Sequence, residues 1–123
     1  MRIDELTSAG DLHSIEPEWW SLYERCPEAT PFHSPDWLMS WWKRFGFGDL
    51  WTLAVREGNR LVALAPLFIH TYQDGSSGAI RQVSPVGIGI TDYTDFLFEP
   101  RDAARASELI LRCLFAQRDG FGP

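Results

Sequence analysis

A chain of 123 residues with 45% hydrophobic and 23% charged residues has room for one domain with its own core and lacks the composition of a disordered segment. Its net charge is −6, and among 11 basic residues only Lys43 and Arg44 are adjacent. That excludes the clustered basic surface on which duplex nucleic-acid binding depends.

No apolar run approaches the ~20 residues of a membrane span. The polar start MRIDELTSAGD is unlike a signal peptide, so the sequence reads as cytoplasmic. Cys26 and Cys113 show neither metal-ligand nor redox spacing and read as structural thiols, with a single disulfide as the alternative.

Arg2 to Leu6 suggests a short strand, with Thr7-Ser8-Ala9-Gly10 as its turn. In SIEPEWWSLYERCP the apolar residues Ile15, Trp19, Leu22, Tyr23 and Cys26 recur at helical spacing. Glu16 and Glu18 suit the first turn of that helix electrically, and Pro27 ends it.

In TPFHSPDWLMSWWKRFG, Ser34 reads as an N-cap, Pro35 as the first helical residue and Asp36 as a favourable first-turn charge. Trp37, Leu38, Trp41, Trp42 and Phe45 then fall on one face, opposite Ser40, Lys43 and Arg44. Gly46 is the expected stop. One continuous stripe wants a partner layer, so the tryptophans read as a packing face rather than an open stacking platform.

LWTLAVREGNRLVALAPLFIHTY reads as a hairpin turning at Gly58-Asn59. Its return strand, Leu61 to Ile69, is apolar on both faces and is expected to lie centrally. Pro66 predicts a bulge or splay within it. Gln73 to Gly78 reads as a loop tip, AIRQVSPVG and TDFLFEP as strands, and GIGITDYTD between them as a glycine- and acid-rich loop. From about Arg101 to Gln117 a helix carries the stripe Ala106, Leu109, Ile110, Cys113 and Leu114, with Glu108 placed four before Arg112. The expected class is α+β with three layers: a mainly antiparallel, mixed sheet, two helices before the central strands and one after.

The strings PFHSPDWLMSWWKRFG, LVALAPLF and VGIGITDYTDFLFEP, in that order, resemble the N-terminal half of the CelD-like acetyltransferases of the GNAT superfamily. They are similar also to FemAB-type tandem-GNAT enzymes. The resemblance spans about Leu6 to Leu114. It implies a GNAT-like domain over residues 1–123 that is incomplete, a fragment of a longer two-half protein. It also implies transfer of an acyl group from acetyl-CoA or another acyl-CoA to a small-molecule or saccharide amine, in polysaccharide or envelope metabolism.

In such folds the CoA diphosphate rests on backbone N–H groups at a strand-to-helix junction. The junction here, DFLFEPRDAAR, has no glycine and carries Glu99 and Asp102, which would repel a diphosphate. The cofactor site is therefore expected in the missing C-terminal half, and the isolated chain is expected to be inactive.

Asp92, Tyr93 and Asp95, on a loop opened by Gly87 and Gly89, have the residue types that acyl transfer to an amine uses to remove a proton and to protonate a leaving thiolate. The reading to be preferred for them is an Asx-type turn, with Asp92 bonded to its own backbone and Tyr93 half buried. His33 either closes the helix start or touches the acceptor beside Trp37. His13, His33 and His70 lie too far apart to suggest a metal site, and no catalytic residue is assigned. The alternative reading is a non-catalytic module that binds carbohydrate through its tryptophans or pairs with another protein.

Overall fold

A computed structural model describes residues 1–74, 78–86 and 96–117. In chain order the elements are β1 (Arg2–Leu6), α1 (Ala9–Ser14), α2 (Glu16–Arg25), α3 (Pro35–Phe45), β2 (Asp49–Leu50), β3 (Thr52–Glu57), β4 (Arg60–Ala65), β5 (Leu67–Asp74), β6 (Gly78–Pro85), β7 (Leu97–Phe98) and α4 (Ala103–Gln117). Two 3-10 turns, Pro31–His33 and Pro100–Asp102, precede α3 and α4. The described strands pair antiparallel in two sheets, ordered β1-β3-β4-β7 and β2-β5-β6. The chain is thus α+β.

Both faces of the larger sheet are covered. Leu12, Trp19, Leu22 and Leu38 of the first three helices pack on Leu61, Leu64 and Leu97. Ala106 and Ile110 of α4 pack on Leu53, Val55 and Val62 from the other side. That double cover explains the apolar run of β4, as a central strand requires.

Two local devices shape the sheets. Gly58, at the first position of the β3–β4 turn, takes φ +61°, which glycine allows without strain in a two-residue hairpin. Nearby the register slips between Val55 and Arg56, so that Val55 faces Ala63 and Arg56 faces Leu61. The extra residue is Val62, and it turns to the same side as Ala63, toward α4. The expected interruption at Pro66 is a change of sheet: β4 belongs to one and β5 to the other. Proline has no N–H for a ladder, yet its carbonyl accepts from Val86 N–H at 2.8 Å while Leu67 O accepts from Trp51 N–H at 2.9 Å. These bonds tie the two sheets together where the strand breaks.

Four sequence expectations are corrected. Thr7 to Gly10 is no simple turn, because Ser8 Oγ caps α1 by accepting from Asp11 N–H at 3.1 Å. Three α-helices rather than two therefore precede the central strands, and His13 lies in α1 rather than in a loop. Gln73, Asp74 and Gly78 belong to the β5–β6 ladder, not to a loop tip. Pro100 to Asp102 forms a 3-10 turn, so α4 starts at Ala103. Phe45, placed in the packing stripe by its spacing, is 54% exposed; it ends α3 and meets only the edge of the layer, through Trp41 at 5.9 Å.

Gly46 ends α3 as predicted, but for a reason of space. Its φ is −67°, and a Cβ there would collide with the Trp42 ring and carbonyl. Gly48 is different, with φ +75° and the Ile69 carbonyl where a Cβ would stand. Gly48→Ala is expected to destabilise the fold by about 2 kcal/mol or more. Urea unfolding would check this, and a loss below about 0.5 kcal/mol would show that the β2–β5 contact yields freely.

Candidate functional site

The segment between α2 and α3 is built by short-range hydrogen bonds. Cys26 follows α2 in extended geometry, and its carbonyl accepts from Ala29 N–H at 3.1 Å. Thr30 caps the next turn: Oγ1 accepts from Phe32 N–H at 3.3 Å, and His33 Nδ1 accepts from Thr30 N–H at 2.9 Å. This is a capping box with histidine in the role usually taken by Glu or Gln. Ser34 Oγ then accepts from Trp37 N–H at 3.3 Å and opens α3. The His33 carbonyl takes a third bond, from Trp19 Nε1 at 3.1 Å.

Because Nδ1 accepts from the backbone, the proton of the neutral His33 ring sits on Nε2. His33, buried at 6% exposure, thus holds the turn through its capping bond.

This segment forms one wall of a cleft of about 790 Å³, within the range of small-molecule sites. Phe96, Leu97 and Phe98, with Pro100 and Ala103 at the β7–α4 junction, also line it. Phe96 and Phe98 are half-buried, with ring centroids 6.4 Å apart and planes at 58°. Among the described residues Glu28 is the one charged residue in the lining. It makes no ion pair among the described residues, in contrast to Glu99 close by.

Behind the cleft, Arg25 Nε contacts Glu99 Oε2 at 2.9 Å, and Arg60 reaches Glu99 at 3.6 Å and Asp102 at 3.3 Å. Arg25 also donates to Ser21 Oγ at 2.6 Å and to the Leu61 carbonyl at 2.7 Å. Glu99 and Asp102 are thus compensated by two arginines, and the repulsion of a diphosphate expected from the sequence is blunted. The junction still does not fit one. Pro100 has no N–H, and the Asp102 N–H is used by the Glu99 carbonyl at 3.0 Å. A diphosphate needs bare amides there.

Of the sequence-predicted site residues, His33 lines the cleft. Trp37 does not. It lies half-buried in a separate hollow of about 230 Å³ with Trp41 and Arg44, edge-on to Phe32 at 5.0 Å. Its Nε1 is buried without a hydrogen-bond partner among the described residues. Asp92, Tyr93 and Asp95, like Gly87 to Ile90, lie outside the described residues. Phe96, directly after Asp95, lines the same cleft as His33.

Sequence reasoning missed Glu28, Phe96 and Phe98. The phenylalanines were readable only as strand residues, and nothing in PEATP marks Glu28 as a rim charge. Trp19, Trp41 and Trp51 are buried, and the described tryptophan ring contacts are tilted or edge-on. They form packing, not a flat platform.

A second cleft, about 660 Å³ between α2 and the β3–β4 turn, is lined by Glu18, Arg25 and Arg60, whose charges are already paired. Arg56 donates to Glu18 and, at 3.1 Å, to Asp4. The Glu18 bond is the main reason its guanidinium is held above its ordinary range. Cys26 and Cys113 are free and half-buried. Burial, with Glu5 adding to it, pushes the Cys113 thiol up, away from reactivity.

Among the described residues no group of His, Cys, Asp and Glu could hold a metal ion, and no helix is long and apolar enough to cross a membrane. Compared with known proteins, the chain matches no family model, no curated protein and no solved structure.

Proposed function

We propose that this chain is the acceptor-side half of an acyl-CoA-dependent N-acyltransferase with a GNAT-like fold, and that its 790 Å³ cleft takes the amine. One observation supports this above the others. His33 and the residue immediately after Asp95, far apart in sequence, wall the same cleft. That arrangement sets Phe96 and the His33 turn, one of the places where the sequence suggested substrate contact, on one cleft.

In this reading the chain binds and orients. The rigid Thr30–His33 capping box holds one wall, the β7 backbone holds the other, and holding the amine in place supplies rate through proximity. The acyl donor belongs to a separate half of the protein, since the β7–α4 junction does not fit its diphosphate. The setting proposed from the resemblance is polysaccharide or envelope metabolism.

The purified chain should release thiol from acetyl-CoA no faster than buffer does. Amide shifts on titration with small amines should map to residues 26–33 and 96–103. Thiol release above background would overturn the donor assignment, and shifts confined to other segments would overturn the acceptor assignment.

A further inference from the structure

We infer that the cleft selects an ammonium group carried on an apolar or aryl body, held between Glu28 and the Phe96–Phe98 pair, rather than an amino sugar. This rests on the acceptor-side reading above and narrows its substrate class.

The argument is one of charge and of hydrogen-bonding capacity. Among the described residues Glu28 is the single charge of the lining and has no ion pair, so it favours a cation in the cleft. Two half-buried phenylalanine rings add to this, because the face of an aromatic ring attracts a cation. Pro27, Leu97 and Pro100 make the remaining wall apolar.

Among the described residues the Thr30 hydroxyl and His33 Nδ1, polar groups that could serve a sugar, are engaged with each other and with the backbone. Thr30 Oγ1 accepts from Phe32 N–H and lies 3.1 Å from His33 Nδ1, which itself accepts from Thr30 N–H. A sugar ring would have to leave hydroxyls desolvated without partners, and each such group costs binding. An arylalkyl or alkyl amine has only its ammonium to satisfy. Glu28, on the exposed rim, can satisfy it without being buried.

The test is an amide-detected NMR titration of the full chain with 2-phenylethylamine, 2-phenylethanol and glucosamine, repeated on Glu28→Gln. Phenylethylamine should bind at residues 26–33 and 96–103 roughly threefold tighter than the alcohol, as one screened ion pair and a ring contact allow. Glucosamine should bind more weakly than either. Glu28→Gln, an exposed and isosteric change, should bring the amine down to the level of the alcohol and leave the alcohol unaffected.

Glucosamine binding tighter than phenylethylamine at these residues would overturn this inference and leave the acceptor cleft standing. An amine preference that survives Glu28→Gln would overturn the role of Glu28. If none of the three probes shifts these residues, the inference falls together with the acceptor-side reading.

Discussion

Trp19→Ala is expected to cost about 4 kcal/mol of folding stability, the range for deleting a fully buried tryptophan. Trp19 is 0% exposed, in the cluster that joins the first three helices to the sheet. Its loss would open a cavity that a rigid sheet and three short helices cannot close. The indole does a second thing. Its Nε1 donates to the His33 carbonyl at 3.1 Å, so it pins the turn that forms one wall of the cleft.

Trp19→Phe separates the two contributions. It keeps much of the volume and removes the donor, leaving a buried carbonyl short of a partner, at about 1–2 kcal/mol. Urea unfolding followed by circular dichroism measures both variants. A loss below about 1 kcal/mol for Trp19→Ala would mean that the helix layer does not pack on the sheet as described.

The second large effect is expected at Arg25. Its side chain is 30% exposed and that of Glu99 13%, so the pair is partly withdrawn from water. Arg25→Ala would leave Glu99 with Arg60 alone, at 3.6 Å, and would strip the Leu61 carbonyl of its 2.7 Å donor. Breaking a buried pair from one side costs about 3–5 kcal/mol. The remaining exposure of Arg25 places the expected loss nearer about 2–3 kcal/mol.

Three elements loosen at once in that variant, because Arg25 links the end of α2 to β4 and to the β7–α4 junction. The control is Arg112→Ala. Arg112 and Glu108 meet at 2.7 Å with side chains 73% and 63% exposed, and their separation should cost no more than about 0.5 kcal/mol. The double variant of Arg25 and Glu99 completes the cycle, with a coupling of about 1–3 kcal/mol expected between groups in direct contact. Equal, small losses at Arg25 and Arg112 would reduce the network to ordinary surface charge.

Periodicity and local chemistry made much of the architecture legible. Of the first helical stripe Ile15, Trp19 and Leu22 are buried and Tyr23 and Cys26 half-buried; of the last, Ala106 and Ile110 are buried and Leu109, Cys113 and Leu114 half-buried. Ser34 caps α3, and Glu108 pairs with Arg112. Pro66 breaks its strand, Gly58 turns the hairpin, and the double-sided apolar run of β4 is a central strand. Each of these signals lives within a few residues: a spacing of 3.6 or 2, a cap, a missing N–H.

The same locality explains the misses. Gly10 suggested a turn, but the Ser8 cap on Asp11 outweighed its flexibility, and α1 formed. Phe45 kept the helical spacing, yet spacing says which way a residue points and not whether the partner layer extends that far. The Arg25–Glu99 bond spans 74 residues, and the approach of Phe96 to the His33 turn is comparably long-range. Contacts of that kind follow from how the layers pack rather than from any pattern along the chain.

By itself, then, the sequence determined much of the helical faces, the Ser34 cap, an interruption at Pro66 and the α+β class, because those depend on neighbours in the chain. Only the tertiary structure decided which tryptophans are buried, that Glu99 and Asp102 are paired with arginines, and that Glu28 and two phenylalanines line one cleft. Those outcomes are set by packing and by charge compensation between segments that no short-range rule connects.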